Sequence, residues 1–148
     1  MKKNFSYILR FFGILFFILL ADDAKTQTLT KYIVVDQFGY LPSSKKIAVI
    51  RDPQTGFDAS ESFTAGTQYA LIDRATGNAV FTAAPVAWKS GATDISSGDK
   101  VWWFDFSSTT TAGTYYVLDV EKNLRSFEFE ISPAIYNGLL RHAVRTFF

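Results

Sequence analysis

The sequence predicts an all-β sandwich followed by a single helix, and three observations predict it. Between Lys31 and Ile131, short runs of β-branched and aromatic residues recur, separated by turn residues. Several of these runs alternate apolar and polar side chains with a period of two, as a sheet with one buried face requires. After residue 31 a helical period shows only once, from Ser132 onward. With 148 residues, 48% hydrophobic and 17% aromatic, one domain with a proper core is expected.

The first residues stand apart. Lys2, Lys3 and Arg10 supply positive charge, residues 11–20 are apolar apart from Gly13, and polarity returns at Asp22-Asp23. This is the pattern of a secretory signal peptide, assigned to residues 1–27, with Ala21, Ala24 and Thr26-Gln27-Thr28 as candidate cleavage points. The apolar stretch is shorter than the ~20 residues that span a bilayer. Secretion, or export to a bacterial periplasm, is therefore expected, with no membrane attachment after cleavage. Removing residues 1–21 leaves 12 of the 15 basic side chains against 14 acidic ones. A weakly acidic chain without a basic patch gives no electrostatic reason for a nucleic-acid partner. There is no cysteine, which excludes disulfides, thiolate metal sites and a cysteine nucleophile.

Taken in order, residues 32–36 (YIVVD) form the first expected strand, and Phe38-Gly39-Tyr40-Leu41-Pro42 turns the chain into the second, residues 46–51. Residues 54–66 are polar and contain Gly, Ser and Thr, and so read as a long loop. Strands at 68–73 and 78–83 flank Ala75-Thr76-Gly77, a hairpin signal, and a further segment runs through 86–89. A second loop, residues 90–100, carries two glycines. In 101–106, Trp102, Phe104 and Phe106 share one face while Trp103 and Asp105 share the other. In 114–120, Tyr116, Leu118 and Val120 alternate with Tyr115, Val117 and Asp119. In 125–131, Phe127, Phe129 and Ile131 face one way and Ser126, Glu128 and Glu130 the other.

About seven short strands with polar loops favour an immunoglobulin-like β-sandwich over residues 28–132. Ala112-Gly113-Thr114-Tyr115-Tyr116 places tyrosines where the tyrosine corner of such a sandwich fits. For the helix, Ser132 is a capping residue and Pro133 suits the first position. Tyr136, Leu139, Leu140, Ala143 and Phe147 then recur along one apolar face, a candidate domain interface. No Gly, Asn or Pro closes the helix at Phe147-Phe148, so it is expected to be cut short, and to fray from Asn137 onward.

Candidate chemistry is sparse. Glu128 and Glu130 stand two apart on one expected strand, near the lower separation of an inverting carboxylate pair, yet their alternation with Phe127, Phe129 and Ile131 reads as a solvated sheet face. His142 is the only histidine and falls beside the helix's apolar stripe, a surface or interface position. No phosphate loop or metal-spaced cluster is present, so no catalytic, cofactor or metal residue is assigned and no cofactor is expected. Trp103 and Trp88 are candidate sugar-stacking residues, because an exposed indole offers a flat apolar face to the C–H bonds of a pyranose. Trp102, in register with Phe104 and Phe106, reads as core.

Val35-Asp36-Gln37-Phe38-Gly39-Tyr40-Leu41-Pro42, followed by Lys46-Ile47-Ala48-Val49-Ile50, resembles the opening of the N-terminal immunoglobulin-like domain that precedes the catalytic domain of many family 9 glycoside hydrolases. The usual motif has asparagine where this chain has Asp36. Ala112-Gly113-Thr114-Tyr115-Tyr116-Val117 is similar to that domain's late strand, residues 127–131 to its final strand, and Tyr136, Leu139, Leu140, Ala143, Phe147 and Phe148 to the first helix of the family's (α/α)6 barrel. The resemblance implies a sandwich at 28–132, the first helix of a truncated catalytic domain at 133–148, and a parent enzyme that hydrolyses β-1,4-glucan with inversion. The family's Asp-Ala-Gly-Asp segment is absent here, so no catalytic residue carries over. The implied partners are the catalytic barrel of the same polypeptide and β-glucan.

Overall fold

In a computed structural model the described residues are 26–145, excepting the side chains of residues 139–141. The signal-peptide assignment to residues 1–27 thus falls almost wholly outside them, as do Phe147 and the side chains of Leu139 and Leu140. Two sheets face each other. The first runs in the order β1 (Thr28–Leu29), β9 (Leu124–Arg125), β8 (Gly113–Asp119), β4 (Tyr69–Asp73), β5 (Ala79–Ala83), with β10 (Phe129–Ile131) also paired to β8. The second runs β2 (Ile33–Val34), β3 (Ile47–Pro53), β7 (Asp99–Asp105), β6 (Val86–Ala87). Pairing between these strands is antiparallel except for β1 with β9. This is the expected immunoglobulin-like sandwich, with one helix, α1 (Asn137–Arg145), after it.

The core forms where the inner faces meet. Ile33, Ala48, Ile50, Phe104 and Phe106 come from the second sheet and its ends, and Tyr69, Leu71, Tyr115, Val117, Phe129 and Ile131 from the first. Phe106 lies at the centre of a run of rings, 5.4 Å from Tyr40, 5.4 Å from Phe129 and 6.0 Å from Phe104, centroid to centroid. Tilted and edge-on contacts of this kind add to the area that the rings bury. The inward assignment of Phe104 and Phe106 holds, and Trp102 packs half-buried against them. Tyr115 closes the expected tyrosine corner, its hydroxyl donating to the Thr111 carbonyl at 3.1 Å, and Gly113 leaves room for that ring. The hairpin at residues 75–77 forms as read: Asp73 Oδ1 accepts the Ala75 amide at 2.7 Å and Gly77 takes φ +72°.

The structure corrects several element boundaries. The expected first strand, 32–36, pairs only over Ile33–Val34. The segment at 86–89 ends at Ala87, because Lys89 and Ser90 adopt positive φ (44° and 56°) in a 3-10 turn, Trp88–Gly91. The expected strand at 125–131 divides into β9 and β10. From Tyr115 to Leu118 there are three steps along β8, but between their partners, Arg125 and Phe129, there are four. The additional residue makes a β-bulge at Ser126-Phe127, and it inverts the alternation there. Ser126 is 0% exposed and Phe127 is 60% exposed, the reverse of the sequence reading. Finally, α1 starts at Asn137 rather than Pro133. Ser132 Oγ accepts the Ala134 amide at 3.2 Å, two residues on, so it caps a turn instead of the helix.

Candidate functional site

The residues that carry the family resemblance converge where the chain leaves the sandwich. Asp36 Oδ1 accepts the Phe38 amide at 2.9 Å, and the Gly39 amide donates to the Asp36 carbonyl at 3.1 Å. An asparagine side-chain oxygen could accept the same bond, so Asp36 preserves the turn's chemistry. Gly39 has φ +89°, and a Cβ there would lie 2.3 Å from the Glu130 carbonyl and 2.9 Å from Ile135 Cδ1. Only glycine permits that approach. Tyr40 then bridges residues 130–132: its amide donates to the Glu130 carbonyl at 2.9 Å, and its carbonyl accepts the Ser132 amide at 3.0 Å. Its hydroxyl accepts the Asp36 amide at 2.9 Å and donates to the Ile47 carbonyl at 3.0 Å. Burial raises the Tyr40 phenol above its ordinary range, and the hydroxyl keeps its proton for the Ile47 bond.

Lys46 secures the other end of this turn. Its side chain is fully buried, and Nζ donates to the Pro42 and Ser44 carbonyls at 2.7 and 2.8 Å. Desolvation lowers its pKa, and the two carbonyl dipoles offset part of the cost of the buried charge. Its amide donates to Ser107 Oγ at 2.9 Å, and that hydroxyl in turn donates to Asp105 Oδ1 at 2.5 Å.

Beside the exit runs a groove of about 470 Å³ lined by Lys31, Ile33, Val34, Val35, Gln37, Phe127 and Glu128. It follows the seam between β2 and the β9–β10 bulge, and the bulge is what turns Phe127 into it. From this seam an apolar row crosses the solvent face of the second sheet: Val34 opposes Val49, Val49 opposes Trp103, and Trp103 opposes Val86. Trp103 is 37% exposed. Alternation places polar groups on such a face; here it carries four apolar side chains abreast.

The sequence-derived candidates fall as follows. Trp103 stands in the middle of the row, with the Lys45 ammonium 5.5 Å from its ring centroid. Trp88, half-buried, follows the end of β6 and carries Lys89 at 4.2 Å. Each indole thus has a cation over one face, a face that a stacking sugar would have to share. Tyr136 is exposed in the exit turn and Ala143 is exposed on α1. Glu128 and Glu130 are both exposed, and Glu128 is an ion-pair partner, 2.9 Å from Arg74 Nε and 3.6 Å from Arg125 Nη1. His142 is exposed on α1. Among the described residues no cluster of His, Cys, Asp or Glu has metal-binding geometry, and no helix is long and apolar enough to cross a membrane.

Sequence reasoning missed Asp119. It is 0% exposed at the end of β8, where its carboxylate accepts the Gly66, Glu121 and Lys122 amides at 3.1, 3.1 and 3.0 Å. Burial, then the Asp119 charge, push the Tyr69 phenol beside it far above its ordinary range. Gly66 is required here, since a Cβ would lie 2.4 Å from Asp119 Oδ1. An acidic residue at an apolar strand position just before a Glu-Lys-Asn turn was the available signal.

Comparison with known proteins places this arrangement. A family profile described as the cellulase N-terminal ig-like domain matches residues 28–123. Among solved structures, the chain is similar to a Bacteroides ovatus family 9 glycoside hydrolase, with a TM-score of 0.61 and 23% identity over 80% of this chain and 19% of that one. It is also similar to a metagenome-derived glycoside hydrolase family 9 endoglucanase, with a TM-score of 0.56 and 28% identity over 73% and 19%. A single mutant of the thermostable endoglucanase from Alicyclobacillus acidocaldarius gives a TM-score of 0.52 and 22% identity over 75% and 16%. The chain therefore spans less than a fifth of the length of each of these structures. No curated protein matches. The profile covers well over half of the chain, which accordingly belongs to the family of cellulase N-terminal immunoglobulin-like domains.

Proposed function

We propose that this chain is the non-catalytic sandwich module of an exported β-1,4-glucan hydrolase, and that it packs on the catalytic domain and stabilises it. The family match over residues 28–123 carries the reading, and the solved relatives hold this part within a much longer chain. Two features of the surface support it. The chain leaves the sandwich at a clamped turn, and that turn opens beside the apolar seam of Val34, Val35 and Phe127. An apolar seam of this kind is stable in water when a neighbouring domain covers it. Export rests on the charged and apolar pattern of residues 1–21.

The test is a fusion. Residues 28–145 joined to the catalytic domain of the metagenome-derived endoglucanase, in place of its own N-terminal part, should slow thermal inactivation of glucanase activity relative to the catalytic domain alone. The isolated chain should hydrolyse no glucan. If the fusion gives no protection, the supporting role is refuted.

Trp103 favours a second reading, a free-standing carbohydrate-binding or adhesion module of a secreted protein that uses the solvent face of the second sheet. Strong retention of the isolated chain on cellulose, lost in Trp103→Ala, would establish that role in place of the first.

A further inference from the structure

We infer that the turn at residues 36–40 and the turn at residues 132–136 form one rigid bracket that sets the direction in which the chain leaves the sandwich. Neither segment belongs to a long strand, yet each is held to the other. Tyr40 makes a parallel bridge to Ile131, with backbone bonds from the Tyr40 amide to Glu130 and from the Ser132 amide to Tyr40. Gly39 lets its backbone lie against both the Glu130 carbonyl and Ile135 Cδ1. The Tyr40 ring anchors the whole assembly in the core through Phe106 and Phe129, with centroids at 5.4 and 5.2 Å.

The bracket ends abruptly. The Ile135 and Asn137 amides close local turns on the Ser132 and Ala134 carbonyls. From Asn137 on, every described side chain is exposed, and a helix of nine residues is by itself marginal in water. The backbone clamp thus reaches Ile135, and only the local turn at Asn137 separates it from α1. Such a clamp fixes the point and the direction in which the chain starts away from the sandwich. That the element so oriented is a catalytic domain rests on the function proposed above; the bracket itself does not.

The chain has no cysteine, so paired spin labels can be placed without background. Label pairs at Thr82→Cys with Ala134→Cys, and at Thr82→Cys with Val144→Cys, are compared by double electron–electron resonance in the full chain. The pair ending at residue 134 should give one narrow distance, and the pair ending at residue 144 a distribution several-fold broader. Gly39→Ala should broaden the first pair towards the second. Should that variant not fold, Tyr40→Phe keeps the ring in the core, removes the hydroxyl bonds to Asp36 and Ile47, and should broaden the same pair. A broad first pair in the parent background would overturn the bracket, as would a narrow first pair in every folded variant. If the fusion experiment fails while the widths behave as expected, the bracket stands and the catalytic partner is wrong.

Discussion

The hydroxyl of Ser126 accepts the amide of Val117 at 2.9 Å, while the Ser126 amide donates to the Val117 carbonyl at 2.8 Å. A side-chain oxygen has taken the place of a backbone carbonyl in the ladder between β8 and its partner. That exchange is how the sheet absorbs the bulge without leaving a buried N–H unpaired, since the same hydroxyl donates onward to the Phe127 carbonyl at 2.7 Å.

Ser126→Ala should therefore cost more than a lost methylene-sized contact. It strands the Val117 amide in the core, where an unsatisfied donor costs about 1–3 kcal/mol. Urea unfolding followed by tryptophan fluorescence would show it as a lower midpoint with an unchanged slope. A change below about 0.5 kcal/mol would mean that the hydroxyl does not fill the ladder.

Phe127 and Phe129 should part company. Phe129 is 4% exposed against Tyr40, Phe106 and Tyr115, and Phe129→Ala should cost roughly 3–5 kcal/mol. Phe127→Ser removes an exposed ring and should change stability by no more than about 0.5 kcal/mol. Equal losses would restore the unbroken alternation and remove the bulge.

Asp119→Ala would leave the Gly66, Glu121 and Lys122 amides without their carboxylate. Partial rehydration of the turn limits the loss to roughly 3 kcal/mol, within the range for breaking a buried polar network. Hydrogen exchange should speed up most at those three amides, and unaltered exchange there would contradict the assignment.

Acid should loosen the start of β3. The Ser107 hydroxyl, its amide, and the charges of Lys45 and Lys46 hold the Asp105 carboxyl below the usual aspartate range. A depressed folded pKa contributes stability above the unfolded value of ~4, and loses it as pH falls through the lower folded value. Asp105→Asn should thus lower the melting temperature near neutrality, where that stability is fully present, and flatten its decline below about pH 4, so that the two proteins converge in acid. An identical acid limb in the variant would exclude Asp105 as a contributor.

The local rules read well where pairing is regular. Alternation identified Phe104 and Phe106 as core, Ala75-Thr76-Gly77 marked their hairpin, and the tyrosine at residue 115 made its corner. Each depends on residues within a few positions of one another, so the chemistry is visible in the string. The exit clamp was half visible: residues 35–42 stood out as a motif, but nothing near them named Glu130, Ser132 or Ile135 as partners. The bulge was invisible. A period of two predicts sides only while the register is unbroken, and one additional residue opposite β8 exchanged Ser126 and Phe127.

By itself the sequence determined a two-faced β sandwich and its family, because side-chain period, turn chemistry and motif are local properties. Only the tertiary structure decided that Phe127 lies in the surface groove, that Asp119 is a buried anchor, and that the opening motif clamps the last strand. Those three depend on which other segment supplies the hydrogen-bond partner: Val117 for Ser126, Gly66 for Asp119 and Glu130 for Tyr40, and none of these pairings leaves a mark on the local pattern that a period can detect.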